Sequence, residues 1–199
     1  VETAEMPDTY LPGEHDLVGI ITGVVEKEKA ITGEKISPGD IVLGLPSSGL
    51  HTNGYSLARK VFFDVGGYNI NDHISDLDKP IGLTLLEPHI NYTNHVFNVL
   101  DRGIDIKGIA HITGGGLLEN IPRVLPAQCD VEIKKDSWPV TPVFNVMKAI
   151  GNIDDKEMLR AFNMGIGMVF IVRPSDVDRV KDVLKDLSPI HEIGYVKDG

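Results

Sequence analysis

Apolar and polar positions along this chain follow two periods, one typical of strands and one typical of amphipathic helices. Short apolar runs bounded by polar or glycine residues predict strands at residues 16–27, 40–45, 106–110, 130–134, 165–173 and about 190–195. Apolar residues spaced three and four apart predict helices at residues 54–64, about 91–101, 117–121, 143–150, 156–162 and 175–187. Interleaving of this kind predicts an α/β (α+β) fold, with helices packed on a mixed β-sheet.

A run of glycines joins the strand predicted at residues 106–110 to a short helix. The sequence there reads HITGGGLLENIPRVLP, residues 111–126. Glycine has no Cβ and tolerates positive φ, so such a turn can bring backbone N–H groups up to an anion at the positive end of a helix. The candidate substrate-binding residues here are Thr113, Gly114, Gly115 and Gly116. A tight connection without a ligand is the alternative, because glycine-rich turns are common.

A second loop repeats this design between the strand predicted at residues 40–45 and the helix predicted at residues 54–64. It reads PSSGLHTNG, residues 46–54. Hydroxyl groups and a short amide can donate to phosphate or ribose oxygens, and Asn53 can also cap the helix with its side-chain oxygen. The candidate substrate-binding residues in this loop are Ser47, Ser48, Gly49 and Asn53. The alternative is that Asn53 only caps the helix and that His51 is a surface histidine.

His51 is the candidate catalytic residue, because the unperturbed pKa of histidine lies close to neutral and suits proton transfer. A third segment, FNMGIGM at residues 162–168, places two glycines before a β-branched run. Asn163 is a candidate substrate contact there, although glycine in a strand often marks only a bulge. Trp138 is interpreted as a packing anchor rather than as a platform for stacking a base.

Charge and composition restrict the possible partners. The formal net charge of −10 argues against binding nucleic acid, whose phosphates attract Lys and Arg. A small anionic substrate remains compatible with that charge, and Arg59 and Arg123 are candidate contacts by position alone. No apolar run approaches the length of a membrane span, and the first residues lack the pattern of a signal peptide. A single soluble, cytoplasmic domain without a membrane partner is expected.

Cysteine and histidine spacing give no sign of a metal site. Cys129 is the one cysteine, so it has no partner for an internal disulfide and is interpreted as a small structural residue. The seven histidines are scattered without zinc-ligand spacing. Glu2, Glu5 and Glu14 lie near one another in sequence, yet they are expected to be solvated rather than to bind magnesium.

Together, LPSSGLHTNGYSL at residues 45–57 and the glycine-rich segment at residues 111–126 resemble the phosphoribosylformylglycinamidine cyclo-ligase family, also called AIR synthetases. Residues 2–7, 18–27 and 162–168 match this family as well, so the resemblance spans nearly the whole chain. It implies that residues 1–15 are a remnant of an interdomain connection and that residues 16–199 are the AIR synthetase C-terminal domain. The family's ATP-binding domain would precede Glu2.

The resemblance also implies a reaction. In this family ATP and Mg²⁺, held mainly by the amino-terminal domain, activate an amide oxygen of formylglycinamidine ribonucleotide, and ring closure gives aminoimidazole ribonucleotide for purine biosynthesis. The full-length enzyme is expected to be a homodimer that acts on this small-molecule ribonucleotide, and the present chain alone is expected to be inactive. The sequence assigns no general base, and it leaves open which loop meets ATP and which meets the ribonucleotide.

Two alternatives accompany this interpretation. The chain by itself could be a non-catalytic ligand-binding or assembly module, or it could belong to a related ATP-dependent synthetase that acts on selenide, thiamine phosphate or hydrogenase precursors. One departure from the family also stands out. Where relatives often read LLxPTRIY, this chain reads LLEPHINY at residues 85–92, which introduces His89 and removes an arginine.

Overall fold

The computed structural model of the chain describes Gly13 and residues 19–199, which belong to two compact units, residues 1–30 and 31–199. In the first unit, Lys27–Lys29 form one 3-10 turn. The strand predicted at residues 16–27 is wrong from residue 19 onward, and its first residues lie outside the described part, as do Glu2, Glu5 and Glu14. The β-branched residues here favour an extended chain, but a strand also needs a backbone partner. Residues 19–26 pair with no strand in the described part.

The second unit is built on a five-stranded sheet. Its strands are β1 Ile41–Pro46, β2 Gly108–His111, β3 Cys129–Ile133, β4 Ile166–Val172 and β5 His191–Asp198. Their order is β2-β4-β1-β5-β3, and all four pairings are antiparallel. The prediction of a mixed sheet is therefore wrong, because all four strand pairings of this sheet are antiparallel. Strands β4 and β5 run in the same direction, but β1 lies between them, so they never pair with each other.

Seven α-helices surround this sheet in the described part of the chain. They are α1 Tyr55–Arg59, α2 Ile81–Leu85, α3 Thr93–Asp101, α4 Gly116–Asn120, α5 Pro142–Gly151, α6 Asp155–Ala161 and α7 Val177–Leu184. Helix α1 continues as a π-helix over Lys60–Val65, and 3-10 turns cover Lys27–Lys29, Pro122–Val124 and Pro174–Asp176. None of the described helices has both the length and the apolar character needed to cross a membrane.

The core has three buried clusters, of which two lie on opposite faces of the sheet. Alternate residues of β1 point to opposite faces, as the pleat requires. Val42 packs with Leu117 and Ile121 around α4, and Leu43 packs in the cluster that α3 and α7 cover. The third cluster is formed by α1, α2, α5, α6 and the π-helix beyond the strand ends. This helical cluster supports the loops that leave the sheet.

A buried ion pair joins the approaches to β1 and β2. Lys107 Nζ lies 2.7 Å from both carboxylate oxygens of Asp40, and the Ser37 backbone N–H donates to the same carboxylate at 2.8 Å. Both charged side chains are almost wholly buried. A buried charge of this kind needs its partner, because leaving it alone costs several kcal/mol. The pair therefore fixes how β1 and β2 enter the sheet.

Candidate functional site

Three candidate segments converge at one edge of the sheet. Strands β1 and β2 both pair with β4 in an antiparallel sense, so both end at the edge where β4 begins. The loop at residues 46–54 leaves β1, the glycine turn at residues 112–116 leaves β2, and residues 162–165 lead into β4. A register shift between Leu45 and Pro46 redirects the chain where the first loop begins. The sheet therefore brings together the segments that the sequence singled out.

Asn163 ties the first loop to the start of β4. The side chain is only 4 % exposed, and its Oδ1 accepts hydrogen bonds from the Ser47 hydroxyl and the Gly165 backbone N–H, both at 2.8 Å. Its Nδ2 donates to the Gly49 carbonyl at 2.8 Å. The amide is thus used within the protein, and the structure places Asn163 as a support beneath the loop. Its predicted contact with substrate remains a prediction.

A second buried asparagine, Asn120, organises the glycine turn. Its Nδ2 donates to the carbonyls of Gly114 and Gly116 at 3.1 and 2.8 Å, and its Oδ1 accepts the Thr113 hydroxyl at 3.1 Å. Arg123 donates to the same Oδ1 at 3.2 Å. Arg123 and the Thr113 hydroxyl therefore help to hold the turn in shape.

The turn needs glycine at its last two positions. Gly115 and Gly116 have φ values of +95° and +58°, in the left-handed region that glycine reaches without strain. A Cβ on Gly116 would also lie 2.0 Å from the Leu159 carbonyl oxygen. Within the described residues, the backbone N–H groups of Gly114 and Gly115 donate to no acceptor. Two donors are thus available to an anion.

A groove of about 560 Å³ lies between the glycine turn and the start of α1. Its lining residues are Gly54, Tyr55, Ser56, Leu57, Gly114, Gly115, Glu119, Glu157, Arg160 and Ala161. Arg160 is the single cation in this lining, and its Nε lies 3.3 Å from Glu157. Asn53 Oδ1 lies 3.5 Å from where a Cβ on Gly114 would sit, so the two loops meet here.

The remaining predicted residues lie elsewhere. Ser48 and Gly49 line a smaller depression of about 230 Å³, together with acidic residues of the loop at 76–79. The Ser48 hydroxyl donates to the Pro88 carbonyl at 2.6 Å, and Ser47 is buried against Asn163. Among the predicted substrate contacts, only Gly114 and Gly115 line the groove itself, with Asn53 beside it.

The interpretation of Asn53 as a helix cap is wrong. Helix α1 has Gly54 at its N-cap with φ of +80°, and no side chain there accepts a capping hydrogen bond. A Cβ on Gly54 would lie 2.3 Å from the Phe162 ring. Glycine at the N-cap therefore makes room for the Phe162 ring, and the Asn53 amide takes no part in capping the helix.

His51 does not have the properties from which its role was predicted. The residue is only 3 % exposed, and burial, together with His89 and His111 nearby, lowers its pKa to about 4. Its Nε2 accepts the Ser48 backbone N–H at 3.1 Å, so protonation at Nε2 would break that bond. The premise of a near-neutral pKa is therefore wrong, because burial favours the uncharged ring. The alternative of a surface histidine is wrong as well.

Two further histidines stand beside His51. The His89 ring lies 3.9 Å from the His51 ring, and His89 Nε2 lies 3.0 Å from His111 Nε2. Tyr92 donates its hydroxyl to the Pro46 carbonyl at 2.6 Å, and burial raises its pKa. In the described part of the chain, no group of three or more His, Cys, Asp or Glu side chains is arranged to hold a metal ion.

Sequence reasoning missed Arg160, Asn120 and the histidine cluster. Arg59, the cation proposed by position, is exposed and does not line the groove. Arg160 comes from α6, and only the fold places that helix beside the glycine turn. The interpretation of Trp138 is confirmed: the side chain is buried, and its indole N–H donates to the Met164 carbonyl at 2.9 Å.

Solved structures with the same fold are diverse. The hydrogenase maturation protein HypE superposes with a TM-score of 0.59 at 19% identity, over 87% of this chain and 49% of HypE. Thiamine-monophosphate kinase from Stenotrophomonas maltophilia K279a gives 0.58 at 17% identity, over 88% of this chain and 52% of the kinase. At such low identity the similarity establishes the fold alone, and it confirms helices packed on a sheet in an AIR synthetase-like domain.

Sequence relatives are much more similar. The phosphoribosylformylglycinamidine cyclo-ligase of Geobacillus thermodenitrificans is 46% identical over 199 residues, which cover 100% of this chain and 57% of that enzyme. The enzyme of the same name from Geotalea daltonii is 50% identical over 98% of this chain and 55% of its own length. The chain therefore spans little more than half the length of these relatives. The family described as AIR synthase related protein, C-terminal domain, matches residues 37–199. The chain belongs to this family.

Proposed function

We propose that this chain is the C-terminal part of a phosphoribosylformylglycinamidine cyclo-ligase and contributes a phosphate-binding groove to ring closure in purine biosynthesis. The relatives of that name at 46% and 50% identity support the assignment. The observation that carries it is the groove between the glycine turn and α1, where two free backbone N–H groups and Arg160 meet. The carboxylates of Glu119 and Glu157 line the same groove, so these donors, rather than the net charge of the lining, would hold the phosphate of a ribonucleotide.

The chemistry asks the chain to position groups and to neutralise charge. Phosphoryl transfer depends mainly on alignment and electrostatic stabilisation, for which rigid backbone donors are suitable. Gly114, Gly115 and Arg160 would hold the phosphate of formylglycinamidine ribonucleotide, with Asn53 beside them. Ser48 and Gly49, in the neighbouring depression, would extend the binding surface. The structural basis is the rigidity that Asn163 and Asn120 give to both loops.

His51 is proposed to position the first loop rather than to transfer a proton. Its Nε2 holds the Ser48 backbone N–H, and its pKa of about 4 keeps the ring neutral at physiological pH. A neutral acceptor is what this hydrogen bond needs. A general base for the ring closure would then come from elsewhere in the complete enzyme.

ATP and Mg²⁺ belong to the proposal as reactants of the complete enzyme. ATP supplies the phosphoryl group that activates the amide oxygen. A crystal structure of HypE in complex with ATP, with a TM-score of 0.57 to this chain, shows that a protein of this fold binds the nucleotide. We infer that ATP and Mg²⁺ are held mainly by the amino-terminal domain of a homodimeric enzyme.

Calorimetric titration with formylglycinamidine ribonucleotide tests the groove. We expect Gly115→Ala to weaken binding at least tenfold, because the new Cβ would lie 2.6 Å from Glu119 and would strain a φ of +95°. Gly103→Ala is the matched control, since Gly103 also has positive φ, +67°, but has open space around it. Equal affinity of the two variants, or no binding by the unmodified chain, would contradict a phosphate site in this domain.

A further inference from the structure

Three histidine rings form a continuous contact between the two loops. His51 belongs to the first loop, and His111 ends β2 immediately before the glycine turn. His89 belongs to neither loop, yet its ring centroid lies 3.9 Å from that of His51, with the ring planes tilted by 33°. Its Nε2 lies 3.0 Å from His111 Nε2. The half-buried ring of His89 is thus the link between the two loops.

Hydrogen-bond partners fix which nitrogen of each ring carries the proton when the ring is uncharged. His89 Nδ1 lies 2.6 Å from the Ile90 carbonyl, which can only accept, so the proton of His89 is on Nδ1. His89 Nε2 is then an acceptor, and His111 donates from its Nε2. His51 accepts the Ser48 N–H at Nε2, which places its own proton on Nδ1. Each ring therefore has one defined tautomer.

The segment that carries His89 is fastened to the first loop at further points. The Pro88 carbonyl accepts the Ser48 hydroxyl, and Tyr92 donates to the Pro46 carbonyl. Gly167 of β4 makes room for this packing, because a Cβ there would lie 2.1 Å from the Tyr92 hydroxyl oxygen and 2.6 Å from His51 Cε1. Residues 88–92 are thus held against the first loop, and His89 extends from them to His111 at the approach of the second.

We propose that His89 is a positioning residue that couples the two loops, holding His51 by ring stacking and His111 by a hydrogen bond. Its effect on ligand affinity rests on the proposed function, whereas its effect on the loops does not. The contacts with His51 and His111 use different parts of the His89 side chain. The flat ring supports the first loop, and the Nε2 lone pair orients the approach to the glycine turn.

Two substitutions separate these tasks. His89→Phe keeps a flat ring but has no acceptor for His111, while His89→Gln keeps an amide oxygen that can accept and loses the ring. His73→Phe is the matched control, because His73 is an exposed histidine in the loop before α2. Since His89 is only half-buried, we expect all three variants to fold, which their amide spectra would establish.

Nitrogen-15 NMR of the imidazole rings measures the coupling directly. In the unmodified chain we expect the Nδ1–H tautomer for His51 and the Nε2–H tautomer for His111. In His89→Phe we expect His111 to become a mixture of tautomers and the Gly114 and Gly115 amide signals to shift. In His89→Gln we expect His111 to keep its tautomer and the Ser48 amide signal to shift. Unchanged His111 tautomer and glycine signals in His89→Phe would overturn the coupling.

A binding measurement extends the test to the site. Loss of one hydrogen bond that orients a binding loop is expected to weaken affinity for formylglycinamidine ribonucleotide by about fivefold in His89→Phe, with no change in His73→Phe. If the unmodified chain binds no ribonucleotide, the proposed function fails, while the NMR result still decides the coupling. If the chain binds and His89→Phe binds equally well, the coupling has no role in the site.

Discussion

Buried asparagines shape this site more than its hydroxyl groups do. Asn163 joins the first loop to the start of β4, and Asn120 holds the glycine turn, each through hydrogen bonds from both ends of its side-chain amide. Asn163, a predicted substrate contact, thus also supports the first loop. The backbone N–H groups proposed to meet an anion beside Arg160 carry no sequence signature beyond glycine itself.

At the residue scale, Arg160 is predicted to supply the positive charge in the groove. We expect Arg160→Gln to weaken ribonucleotide binding by about tenfold, because a charge-assisted hydrogen bond to phosphate contributes about 1.5 kcal/mol. Arg59→Gln is the matched control, since Arg59 is exposed outside the groove. Calorimetry at constant ionic strength would measure both. A larger loss in Arg59→Gln than in Arg160→Gln would contradict the assignment.

At the element scale, one side chain joins the end of β1 to the start of β4. Asn163→Ala would leave the Ser47 hydroxyl, the Gly165 N–H and the Gly49 carbonyl without their partner. We expect the free energy of unfolding to fall by about 3 kcal/mol, because each buried unsatisfied group costs roughly 1–3 kcal/mol. Urea denaturation would measure it.

The control for this change is Asn98→Ala, at an exposed position of α3. Because alanine is the better helix former, this variant should be neutral or slightly stabilising. If Asn163→Ala lost less than about 1 kcal/mol relative to the control, the hydrogen bonds of Asn163 would not hold the two elements together.

Apolar runs predicted the strands and apolar spacing predicted the longer helices, whereas very short helices and contacts between distant residues could not be predicted. The predictions near β1, β4, α3, α5 and α6 are confirmed within a few residues. Helix α2 has five residues, too few to show a period, and nothing in the sequence distinguishes the π-helix from a continued α1. Sequence identified both loops, but the hydrogen bond between Ser47 and Asn163 spans 116 positions. Only the assembled sheet brings such partners together.

At the scale of the whole molecule, buried histidines make the fold sensitive to acid. Desolvation of the ring lowers the pKa of the buried His51 and His95, of the half-buried His191 and of His111, whose side chain is otherwise exposed. The pKa of His51 falls from 6.5 to about 4. Between these two pKa values the unfolded chain binds a proton that the folded chain excludes. The free energy of unfolding is therefore highest above the pKa that histidine has in the unfolded chain. It decreases as the pH falls toward the lower pKa of the folded chain.

Because of His51 alone, we expect the free energy of unfolding to fall by about 2 kcal/mol between about pH 7.5 and about pH 5. The other three histidines should lower it further. Urea denaturation at the two pH values would measure the loss. His51→Gln should reduce the loss, since glutamine can accept the Ser48 N–H but takes up no proton. His73→Phe, which removes an exposed histidine, should leave it unchanged. An equal loss in the His51→Gln variant and the unmodified chain would mean that the His51 ring is protonated in the folded state at pH 5. The ring could then not be the neutral acceptor that holds the Ser48 backbone N–H.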